Sequence, residues 1–114
     1  MTIEQPAVSG ERLLEAWRER LPQLIGPGDG HAIHLDEANP QRLLIHIAVA
    51  GHAMYSFDFH CTYVDDREVK VELADAQQGS KHIDERHETV QALIEDYVRH
   101  IRECAQQLQP VTHQ

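Results

Sequence analysis

The chain predicts an α+β domain, and three observations carry the prediction. An amphipathic helical repeat lies near each end, apolar and polar residues alternate between positions 31 and 73, and the alternating runs are joined by segments too short for parallel crossovers. At 114 residues there is room for one core but not for two ordinary domains. The expected division is a flexible leader over residues 1–8, a single domain over 9–109 and a tail over 110–114.

The first helix is expected to begin near Gly10, capped by the Ser9 hydroxyl. Leu13, Leu14, Trp17, Leu21, Leu24 and Ile25 recur at three- and four-residue steps, and Glu11, Arg12, Glu15, Arg18, Glu19 and Arg20 fill the other side. Pro22 should kink the helix or restart a turn, and Gly26, Pro27, Gly28, Asp29 and Gly30 stop it.

The period then changes to two, the mark of strands with one buried face. Ile33 and Leu35 alternate with His34 and Asp36, and Leu43, Ile45, Ile47 and Val49 alternate with Leu44, His46 and Ala48. Tyr55, Phe57, Phe59, Cys61 and Tyr63 alternate with Ser56, Asp58, His60 and Thr62, and Val69, Val71 and Leu73 alternate with Lys70 and Glu72. Turns at 37–40, 50–52 and 65–67 make this a four-stranded antiparallel meander.

Residues 75–80 are polar and end in Gly79 and Ser80, which predicts an exit from the sheet into a last helix. Its stripe runs through Ile83, His87, Val90, Ile94, Tyr97, Ile101, Cys104 and Leu108, and Pro110 ends it. With two apolar helix faces and one apolar sheet face to cover, the sum is a two-layer sandwich in the order α-β-β-β-β-α, both helices on one face.

Nineteen Asp and Glu against ten Lys and Arg give a net charge of −9, which repels a phosphate backbone and argues against nucleic acid as a partner. Nine histidines would cancel most of that charge as pH falls toward the isoelectric point near 5.3. No stretch approaches the roughly 20 apolar residues of a membrane span. With only Cys61 and Cys104 and no signal-like start, a cytoplasmic protein is expected.

Among candidate chemical groups, His34, His46, Asp58 and His60 project from one predicted sheet face and are of the types that bind zinc or a similar divalent metal. No short ligand spacing accompanies them. Register decides their geometry: a hairpin centred at His52 sets His46 opposite Asp58, whereas one centred at Gly51 sets it opposite Ser56. Ser56, Asp58 and His60 do not form a hydrolytic triad, because alternate residues on one strand stand about 6.8 Å apart and a nucleophile must approach its base within about 3 Å. The two cysteines read as packed thiols, and Trp17 and Tyr97 as core. The glycine-rich segment at 26–30 precedes a strand, so it lacks the helix N-terminus that holds a phosphate.

The last helix, about 25 residues or ~37 Å if continuous, could overhang the domain, which makes Ile101, Cys104 and Leu108 candidate interface residues for a homodimer. Two functional expectations follow. The first is a non-enzymatic cytoplasmic binding or adaptor module, acting on a protein partner or on itself through the outer sheet face or the last helix. The second is a metal-binding protein or small metal-dependent enzyme built on the histidines and Asp58.

Overall fold

The structure, a computed structural model, describes residues 10–51, 54–65, 68–84 and 86–109. Helix α1 spans Gly10–Arg20 and is followed by a 3-10 turn, Leu21–Gln23, in which Pro22 redirects the chain. The strands are β1 (Gly30–Asp36), β2 (Asn39–Ala48), β3 (Tyr55–Tyr63), β4 (Val69–Gln78) and β5 (Lys81–His82), and helix α2 spans Glu88–Gln107. The sheet is an antiparallel meander in the spatial order β1-β2-β3-β4-β5. The fold is α+β, with five strands among the described residues where four are expected. Ser9, the leader 1–8 and the tail 110–114 lie outside the described residues.

Alternation fixes the inner face. Ile33, Leu43, Ile45, Ile47, Phe57, Phe59, Cys61 and Tyr63 are all buried, and Leu13 and Trp17 of α1 with Val90, Tyr97 and Ile101 of α2 cover them from the same side. Trp17 is fully buried and satisfies its indole N–H by donating to the Tyr63 hydroxyl at 3.1 Å, as a polar group inside an apolar core must.

The extra strand has a local cause. Pairing slips between Asp58 and Phe59, because Leu73 and Asp75 are the partners on β4, so Ala74 is a bulge and side-chain parity reverses beyond it. Asp75 and Gln77 therefore face outward while Ala76 faces the core, and the polar run 75–78 continues the strand. Gly79, at φ 62°, then turns the chain into β5, which pairs Lys81 with Gln78 and His82 with Gln77. This hairpin takes up the residues expected to open the last helix. Ile83 donates to the Ala76 carbonyl at 3.1 Å, still packing on the core, and α2 begins only at Glu88. At 20 residues the helix is about 30 Å long.

The loop at 26–30 has a structural role. Asp29 accepts the backbone N–H groups of Gly26 at 3.0 Å and Ala50 at 2.7 Å, and the Tyr97 hydroxyl donates to it at 2.7 Å. One carboxylate thus ties together the approach to β1, the end of β2 and the middle of α2.

Candidate binding face

Both helices lie on the inner face, and among the described residues no element covers the outer face. Its residues form rows across the strands. His46 stands opposite Asp58 and Ala32, and Leu44 stands between His34 and His60, so of the two registers the one that sets His46 opposite Asp58 is adopted. His46 Nδ1 and Asp58 Oδ1 are 2.7 Å apart.

The neighbouring charges are also met laterally. Arg42 donates to Thr62 at 3.0 Å and lies 3.5 Å from Asp36, Lys70 lies 3.7 Å from Glu72, and His82 is 2.9 Å from Asp75. The His82 hydrogen bond holds the Asp75 carboxyl below the ordinary carboxylate range. Pairs this exposed add little stability.

At the centre of this face lies a depression of about 220 Å³ whose floor and rim include Ala32, Leu44, His34, His46, Asp58 and His60. The four residues proposed from sequence as metal ligands thus share one depression. They do not converge: His34 and His60 flank Leu44 on strands two apart, about 9.6 Å at ordinary strand spacing, while zinc ligands sit about 2.0–2.2 Å from a common ion. Among the described residues no three His, Cys, Asp or Glu side chains are grouped so as to hold a metal ion. In this arrangement the four side chains do not form one ligand set. Leu44 is the residue that sequence reasoning passed over, and its signal was an apolar side chain at a position whose parity points outward.

The three residues expected at a helix-end interface lie inside the fold. Ile101 and Cys104 are fully buried and Leu108 is 6% exposed, because the end of α2 packs into the chain's own core. Cys61 and Cys104 are free and buried. Burial pushes the Cys61 thiol far above its ordinary range and that of Cys104 up to about 12, so neither is a ready nucleophile.

No protein-family model matches the chain, nor does any curated protein or solved structure. Among the described residues no helix is long and apolar enough to cross a membrane.

Proposed function

We propose that the protein is a non-enzymatic cytoplasmic binding module that engages a protein partner through the outer face of its sheet. The observation that carries this reading is the depression around Leu44, an apolar floor with a rim of imidazoles and one carboxylate, at the middle of a face that no helix covers among the described residues. An apolar centre within a polar rim is the anatomy of protein contact sites. Two free buried thiols suit a reducing compartment.

The test is a photo-crosslinking residue placed at Leu44 in the source cells, with the same residue at exposed Ala92 on α2 as control. The proposal expects a discrete adduct from position 44 that vanishes when His34 and His60 are both replaced by alanine. No adduct from position 44, or the same adducts from both positions, overturns it.

A further inference from the structure

The two edges of the sheet are built differently. On β1, Arg18 of α1 donates through Nε and Nη2 to the carbonyl of Ile33, at 3.0 and 2.7 Å, so the middle of that edge is occupied. On β4 the free stretch can be read from the phase of the ladder. Val64 N–H donates to Glu68 C=O at 2.9 Å, and antiparallel alternation then directs the backbone groups of residues 70 and 72 toward β3 and those of Val69, Val71 and Leu73 outward. Beyond the bulge, the Ala76 carbonyl is taken by Ile83, and Gln78 pairs with Lys81. Among the described residues, Val69, Val71 and Leu73 therefore present a row of N–H and C=O groups with no acceptor or donor opposite. Such a row is a template for another strand.

We propose that β4 pairs antiparallel with β4 of a second copy of this chain, about a two-fold axis at Val71. In that register Val71 meets its own counterpart, Val69 meets Leu73, and the outward groups of these residues complete one another's hydrogen bonds. The charges are self-complementary: Lys70 falls opposite Glu72 of the other copy, and Glu72 opposite its Lys70. An edge that only repels other copies would carry one sign of charge, whereas this pair inverts onto its opposite. Lys70 and Glu72 are both exposed, as the pairing requires.

The helix beside the edge agrees. Leu73 borders a shallow pocket with Ile94 and Glu95 at one end of α2, and Val69 borders another with Arg102 and Ala105 at the other end. The same axis brings the Leu73 end of one copy against the Val69 end of the other, so Glu95 approaches Arg102 of its counterpart. Charge complementarity thus recurs in two layers, and a second copy is the occupant both layers fit.

Sedimentation across a concentration series tests this, with thermal melting to confirm the fold of each variant. The wild-type chain is expected to move from 13.0 kDa toward twice that mass as concentration rises. Val71→Pro is expected to stay monomeric, since proline removes only an outward N–H and edge strands tolerate it there. Lys70→Glu is expected to weaken association about tenfold, the scale of two cross-strand charge pairs reversed in sign. The double exchange Lys70→Glu with Glu72→Lys restores it. If Val71→Pro fails to fold, the charge exchange decides alone. A wild-type chain that stays monomeric at millimolar concentration, or a dimer indifferent to both the proline and the charge reversal, overturns the proposal.

Discussion

The two faces of the sheet carry the same alternating backbone and differ in what lies against them. The inner face is sealed by two helices, and its side chains are held by packing. Among the described residues nothing lies on the outer face, and its side chains are held by lateral pairs such as His46 with Asp58. The lesson is that stability and recognition are separable by strand parity: an inward position cannot be changed without affecting the fold, whereas an outward one can.

The sharpest way to break this contrast is to truncate an inner residue. Phe57 is fully buried, with its ring 6.2 Å from Phe59 and 6.1 Å from Tyr97, so Phe57→Ala is expected to lower stability by about 3–5 kcal/mol in denaturant unfolding. A loss under about 1 kcal/mol would mean that the inner face is not the structural one.

Alkaline pH probes the same face without mutation. Burial raises Cys61 and Cys104 above the ordinary thiol value of 9.0, and Tyr63 and Tyr97 above the ordinary phenol value of 10.0. The folded chain keeps these protons when the unfolded chain has released them. Their contribution is complete below pH 9.0 and falls as pH rises through 9.0 and then 10.0 toward the raised folded values. For fully buried Cys61 alone the loss should approach about 1.4 kcal/mol per pH unit. Melting temperature against pH should show this decline, with tyrosinate absorbance appearing mainly on unfolding.

Next in size is Asp29→Ala, which removes three hydrogen bonds at one end of the sandwich and should cost about 1–3 kcal/mol. Outer-face changes come last. His34→Ala and His60→Ala together should shift unfolding by less than about 0.5 kcal/mol, and zinc or a chelator should leave the melting temperature of the wild-type chain unchanged. A zinc-dependent rise abolished by His46→Ala would return these histidines to metal chemistry.

How far the fold was legible follows from which signals are local. The run from Tyr55 to Tyr63 reads as a strand because five inward side chains are apolar or aromatic and the intervening ones polar. The tail of β4 did not read so, because Asp75, Gln77 and Gln78 have low strand preference and the bulge at Ala74 reverses their parity. The stripe on α2 was visible, yet a three-four repeat suits a chain's own sheet as well as a second helix, and only the packing shows that Ile101, Cys104 and Leu108 face inward. The role of Asp29 was hidden by distance, since its partners lie up to 68 residues away. For the binding face, the histidines and Asp58 were found from parity, but the register that puts Leu44 between His34 and His60 depends on a turn the sequence leaves open.

Arg18 has a consequence for assembly size. A sheet that is adhesive along both margins can grow by repeated addition into ribbons of indefinite length. In the proposed dimer, with the Ile33 carbonyl at the middle of the β1 margin taken by the Arg18 guanidinium, joining at β4 would use the margin left free and the product would be finite. One arginine on a helix would then be what keeps the proposed assembly bounded.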